Sequence, residues 1–199
     1  AAPSSASVSV PVNTIEAGCA RITPQRLNLV QLDQASIDAL LAPIPGGHAN
    51  VQDVYPLAPL QQGILYHHAS AEGADPYIMQ SRFVFASQDH LQSFAQALQA
   101  VIDRHDILRT SVHWQGLDAP LQVVWRQARL PVFHDVAVSG RSDLTQAPLI
   151  RLHCDTPRED GRVQATLQVH PRALAPKTLA VAGHAQRGEL CRPTVRGVG

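Results

Sequence analysis

Residues 91–126 constrain the fold most, because the apolar period changes there from helical to extended across a short charged joint. Leu91, Phe94, Leu98, Val101 and Ile102 recur at the spacing that puts side chains on one helical face. Asp89 with Gln92 three residues on reads as a capping box for this helix. The joint is Arg104-His105-Asp106-Ile107-Leu108-Arg109-Thr110. Arg104 and His105 suit a helix C-terminus, where cations complement the dipole. Arg109 runs into Thr110-Ser111-Val112, where a guanidinium must find a partner or reach water. The expectation is a buried arginine with a partner elsewhere in the fold, while Asp106 pairs locally with an arginine.

Strands follow. Leu108–Trp114 and Leu121–Arg126 are joined by Gly116-Leu117-Asp118-Ala119-Pro120, an interval that favours an antiparallel hairpin. A second hairpin joins Leu149–Cys154 to Arg162–Val169 through Pro157-Arg158-Glu159-Asp160-Gly161. Upstream, Tyr77–Phe85 alternates, with Tyr77, Met79, Phe83 and Phe85 on one face. Pro59 suits the first turn of a helix reaching about His68, with Leu60, Ile64 and Leu65 as the inward candidates. Asp33 can cap a short helix that ends before Pro43, Pro45, Gly46 and Gly47. This order of helices and strands indicates an α+β fold, and no segment repeats.

Composition narrows the function classes. The 199 residues can bury one good core. Sixteen basic and sixteen acidic residues balance to zero and form no basic stripe, so nucleic acid is not expected as a partner. No apolar run matches a bilayer span and no signal peptide is evident, giving the expectation of a cytoplasmic protein with no membrane partner. Cys19, Cys154 and Cys191 lie far apart outside any Cys-x-x-Cys spacing, so reduced thiols are expected. The ten histidines show no ligand spacing, and adjacent His67 and His68 point in different directions from a helix, so no metal is expected. The start at Ala1 suggests a segment of a longer polypeptide.

Two of these stretches carry a family resemblance. Tyr55-Pro56-Leu57-Ala58-Pro59-Leu60-Gln61-Gln62-Gly63-Ile64-Leu65, followed by the Arg104–Thr110 stretch, resembles the opening motifs of condensation domains from nonribosomal peptide synthetases. The likeness runs from about Ile22 to Val169. It implies the N-terminal lobe of a two-lobed fold like chloramphenicol acetyltransferase, a mixed sheet with helices packed on it. It also implies peptide-bond formation between carrier-tethered aminoacyl or peptidyl thioesters in a tunnel between lobes. No cofactor would be bound directly; the phosphopantetheine arms belong to partner carrier domains, and neighbouring synthetase modules are the other implied partners. An epimerisation domain of the same fold, or a noncatalytic remnant or docking module that binds carrier domains, are the alternatives.

The family's His-His-x-x-x-Asp signature follows a strand like Arg162–Val169. His170 matches its first histidine, whereas the second, catalytic in the family, is Pro171, and the aspartate position is Ala175. Imidazole can exchange a proton near neutral pH and proline cannot. The resemblance pairs that aspartate with an arginine such as Arg104 or Arg109, which Ala175 cannot do. The resulting candidate site is His170 as the motif histidine with Arg104, His105, Asp106 and Arg109 as a structural motif, both expected on one cleft wall. Beside Pro171, His170 reads more simply as a solvent-facing strand end, and His105 as a helix-end packing residue. The expected organisation is an inter-domain linker with a short helix over residues 1–45, the lobe over 46–170, and a degenerate or disordered tail over 171–199. That tail is open to three explanations: an eroded gene, a sequence error, or a shifted frame.

Overall fold

The computed structural model describes residues 13–170, apart from 72, 74, 76, 136 and 139. Pro171, Ala175, Cys191 and the rest of the expected tail lie outside the described residues. Among the described residues three α-helices, α1 (Gln34–Leu41), α2 (Pro59–Ser70) and α3 (Gln88–Arg104), accompany seven strands. The strands are β1 (Val51–Pro56), β2 (Met79–Phe85), β3 (Thr110–His113), β4 (Leu121–Trp125), β5 (Val132–His134), β6 (Ile150–Cys154) and β7 (Val163–Val169).

Two sheets organise them. The first has the order β1-β4-β3 and is antiparallel, with Thr110 opposite Val124 and His113 opposite Leu121 in the expected hairpin. The second has the order β2-β7-β6-β5; its β6–β7 hairpin and β2–β7 pair are antiparallel, whereas β5 joins β6 in parallel. This is the α+β lobe with a mixed sheet that the sequence order indicates. Every residue of β3 and β4 is buried, so these two strands are covered on both faces, while β1 at the edge is partly exposed.

Helix α3 lies against β2 and β7. Its Leu91, Leu98 and Ile102 are buried, as their spacing requires, and Phe94 meets Phe83 and Phe85 at 5.4 and 5.2 Å between ring centroids. The cap differs from expectation. Ser87 is the N-cap and its hydroxyl accepts from the His90 amide, so Asp89 falls inside the first turn. Ser87 wins because its extended backbone precedes the helix while its oxygen satisfies a donor that the first turn would leave open. In β2 the alternation holds for Phe83 and Phe85, but Met79 is exposed at the start of an edge strand.

Helix α2 begins at Pro59 as expected, yet Leu60 is 79% exposed. The inward stripe is set by Leu65 and His68, both buried, with Ile64 half-buried. Leu57, just before the helix, takes the core position in that region. Asp33 caps α1 as expected, its carboxylate accepting from the Ser36 amide at 2.7 Å.

Residues 13–45 bury Ile15, Ile22, Leu27, Ile37, Leu40, Leu41 and Ile44 in the same apolar cluster as the strands. Arg126 also donates to the Ile15 carbonyl at 2.7 Å, and Asn13 to that of Gln52 at 2.9 Å. Among the described residues no helix is long and apolar enough to cross a membrane.

This packing makes α1 testable as a part of the lobe. Leu41 is fully buried, so Leu41→Ala is expected to lower stability by about 2–5 kcal/mol. Urea denaturation of the purified chain would measure it; a loss below about 0.5 kcal/mol, typical of a surface change, would mean that α1 is only appended.

Candidate functional site

The joint after α3 becomes a binding frame for one guanidinium. Helix α3 stops where His105 turns extended, and Asp106–Arg109 form one 3-10 turn before β3. That turn directs Arg109 inward, where it is 5% exposed, while Arg104 and Asp106 stay exposed and His105 is half-buried. The Arg109 Nε donates to the Ile102 carbonyl at 3.2 Å, which at the helix end also accepts from the His105 amide at 3.3 Å. Its other nitrogens donate to the carbonyls of Trp125 and Arg126 and to Asp106 Oδ1, the last at 2.5 Å.

Arg109 is therefore buried and paired, but its carboxylate partner is local. Asp106, three residues before it, is the expected local pair, and the expected partners elsewhere in the fold are Gln52 Oε1 on β1, at 3.4 Å, and the carbonyls at the end of β4. A guanidinium has five donors, and a one-turn offset lets the same residue reach its own helix end and a neighbouring strand.

A second polar cluster forms on the other sheet. His170 directly follows β7, with its backbone amide donating to the Leu149 carbonyl at 3.0 Å, and it is 0% exposed rather than solvent-facing. The histidine is drawn inward by Asp75, whose Oδ2 lies 3.0 Å from His170 Nε2 and 2.5 Å from His68 Nδ1. His68 is the inward residue of the last turn of α2, and the two imidazoles meet edge to face at 5.7 Å between centroids. Asp75 is fixed by its own amide, which donates to the Gly140 carbonyl at 2.7 Å, and by the Tyr77 amide, which donates to Oδ1 at 2.9 Å.

Burial pushes the Asp75 carboxyl up, but the His68 hydrogen bond, the Tyr77 amide and the two imidazoles outweigh it and leave the pKa below the ordinary carboxylate value. A charged carboxylate at this depth needs such donors.

The two clusters share no hydrogen-bonding partner among the described residues: Arg109 is bound by groups around the first sheet, His170 by groups around the second. Sequence reasoning does not single out Asp75 or His68 as site residues. The available signal is that His68 stands three positions after Leu65, on the same helical face.

A third histidine belongs to the packing. His113 is 8% exposed, and its Nε2 lies 2.9 Å from Ser111 Oγ, which itself accepts from Trp125 Nε1 at 2.8 Å. The same hydroxyl donates to the Val123 carbonyl at 3.4 Å, so indole and imidazole meet on one buried oxygen. Burial lowers the His113 pKa to about 4, with Asp143 pulling weakly the other way.

Among known proteins, a family model described as Condensation domain matches residues 51–152. Malpinin synthetase of Mortierella alpina is 44% identical over 162 residues, which are 73% of this chain and 2% of that protein. Malpibaldin synthetase of the same organism is 43% identical over 159 residues, 71% of this chain and 3% of the relative. The chain thus spans a few hundredths of the length of these relatives. A solved four-domain nonribosomal peptide synthetase bound to AMP and glycine matches 63% of this chain and 11% of its own, with 20% identity and a TM-score of 0.53. The starter condensation domain of the rhizomide synthetase matches 65% and 35%, with 18% identity and a TM-score of 0.50. The fold of the described lobe is the one these structures share.

Two measurements follow from the geometry. Arg109→Met, which keeps an unbranched stem but removes every donor, is expected to cost about 2–4 kcal/mol, because three carbonyls and Asp106 lose a partner; urea unfolding would read the loss. For His113, the unfolded chain binds the proton near pH 6.5 and the folded one near 4, so its contribution is present above pH 6.5 and lost as pH falls toward 4. The loss is expected to be on the order of 3 kcal/mol, and urea midpoints at pH 7, 5 and 4 should show His113→Gln flattening that slope.

Proposed function

Since this chain belongs to the condensation-domain family, we propose that the polypeptide carrying it joins aminoacyl or peptidyl thioesters held on carrier domains. The observation that carries this reading is the family match from β1 to β6, which includes the Tyr55–Leu65 opening and the Arg104–Thr110 joint. In such a reaction the amine on one phosphopantetheine arm attacks the thioester carbonyl on the other. A carbon–nitrogen bond forms, the carbon–sulfur bond breaks, the donor thiol leaves, and the attacking nitrogen loses a proton. Holding two tethered reactants in line is worth many kcal/mol, about 7–11 at best, with no metal or nucleotide consumed in the step.

The residues here fit the holding of a scaffold better than the movement of that proton. His170 is buried and its Nε2 faces Asp75, so its ring anchors the end of β7 against α2. Where the family has its catalytic histidine this chain has Pro171, which offers no proton-accepting atom. The chain of 199 residues is therefore read as a carrier-facing lobe that does not turn substrate over by itself. The role of Arg104, His105, Asp106 and Arg109 in this reading is structural, with Arg109 fastening the helix end to the sheet.

The test uses the purified chain with donor and acceptor carrier domains bearing aminoacyl phosphopantetheine thioesters. Binding of the carriers without dipeptide above the spontaneous background, read by intact-protein mass spectrometry, is the expected result. Dipeptide formation would overturn the reading of Pro171, and failure of either carrier to bind at micromolar concentration would overturn the carrier-facing role.

A further inference from the structure

The His68–Asp75–His170 cluster brings two imidazoles and a carboxylate, all metal-ligating side chains, to one buried point. The three residues come from the end of α2, the loop after it and the end of β7, and they are separated by seven and ninety-five positions in sequence. All three side chains are at least nine-tenths buried, at 4%, 1% and 0% exposure. Their facing atoms, two imidazole nitrogens and one carboxylate oxygen, lie within 4.8 Å of one another. We infer that these residues form a binding site for a divalent first-row metal ion, with zinc the ion its donors suit best.

The chemistry selects that class of ion. Two imidazoles and a single carboxylate oxygen make a nitrogen-rich set of borderline softness, which suits zinc and its neighbours and not the all-oxygen preferences of magnesium or calcium. Asp75 is arranged to bind through one oxygen, because Oδ1 already accepts from the Tyr77 amide while Oδ2 faces both rings. Bonds of about 2.0–2.2 Å in a tetrahedral arrangement place donor atoms roughly 3.3–3.6 Å apart. The observed separations of 2.5 and 3.0 Å from Oδ2 fall short of that spacing by about 1 Å or less, so loading the ion spreads the three side chains slightly.

Outer contacts hold the ligands in place. Arg141 donates to the carbonyls of His68 and Ala71 at 3.1 and 2.7 Å, clasping the last turn of α2. The amide of Asp75 is held by Gly140, next to that arginine, and the amide of His170 by Leu149. Trp114 sets its ring edge to face His68 at 6.4 Å between centroids and contributes an apolar wall. An ion here would pin α2 to the second sheet at the point where the chain leaves β7. The site stands apart from the condensation reading and would be present whether or not carriers bind.

The experiment strips the purified 199-residue chain with a chelator and adds zinc chloride alone. One zinc per chain and a rise in melting temperature of at least about 5 °C at a hundredfold excess over Kd are expected. Asp75→Asn and His68→Ala should each weaken binding by tenfold or more, whereas His134→Ala, at a strand elsewhere in the second sheet, should leave it unchanged. Should both cluster variants fail to fold, the cobalt(II) form of the unaltered chain decides by X-ray absorption: two imidazole nitrogens and one or more oxygens in the first shell uphold the site. Fewer than about half an equivalent of zinc, binding untouched by the folded variants, or a shell without two imidazoles would overturn it and leave a hydrogen-bonded cluster only.

Discussion

One side chain fastens the joint between helix and sheet. Arg109 satisfies the carbonyl of Ile102 at the end of α3, the carbonyls of Trp125 and Arg126 at the end of β4, and the carboxylate of its own turn. A helix end buried against a sheet leaves several backbone oxygens without water, and each would be costly to leave unmet. One guanidinium joins the Ile102 carbonyl to two carbonyls at the end of β4 from a single position, which fixes the angle at which α3 enters the first sheet. Because α3 also carries the phenylalanine contacts to β2, the same residue links the two sheets through the helix. A lysine could not do this, since its three donors sit on one atom and cannot fan across carbonyls on two elements.

Much of this is legible in the sequence where a period runs long enough. The stripe Leu91, Leu98 and Ile102, the Asp33 cap and both hairpins follow from spacing and turn residues, and the structure has each of them. The failures have local causes. Strand β5 is three residues long, too short to show a period, and β1 contains Asp53 and Pro56, which sequence patterning scores against a strand. Leu60 reads as inward because it is apolar, but Leu57 fills that part of the core one turn earlier. For α3, Ser87 and Asp89 are both good caps, and only the backbone decides between them.

The polar cluster around Asp75 is harder to foresee for a different reason. Its members come from three segments, and nothing in their spacing marks them as neighbours until β2 and β6 are seen on either side of β7. The pairing brings Met79 opposite Val169 and so sets the loop before β2 beside the end of β7. Asp75 and His170 thus meet because of strand register, ninety-five residues apart, and not because of any motif. Two buried histidines with different duties result: His113 is kept neutral by burial, while His170 faces a charged carboxylate.

The position of His170 also follows from what comes after it. A residue that precedes proline is disfavoured in the helical region and driven toward extended backbone, because the proline ring clashes with its amide and Cβ. Pro171 therefore favours an extended His170, and the structure has it so engaged, with its amide donating to Leu149 in line with the β6–β7 ladder. In that alternation Val169 is half-buried and His170 falls on the deeper side, beneath α2. A histidine in the place of Pro171 would remove this restriction and add a second imidazole beside the first. Pro171 thus favours the extended backbone with which His170 continues the β6–β7 ladder while its Nε2 lies 3.0 Å from Asp75 Oδ2, an anchor between the end of β7 and the loop after α2.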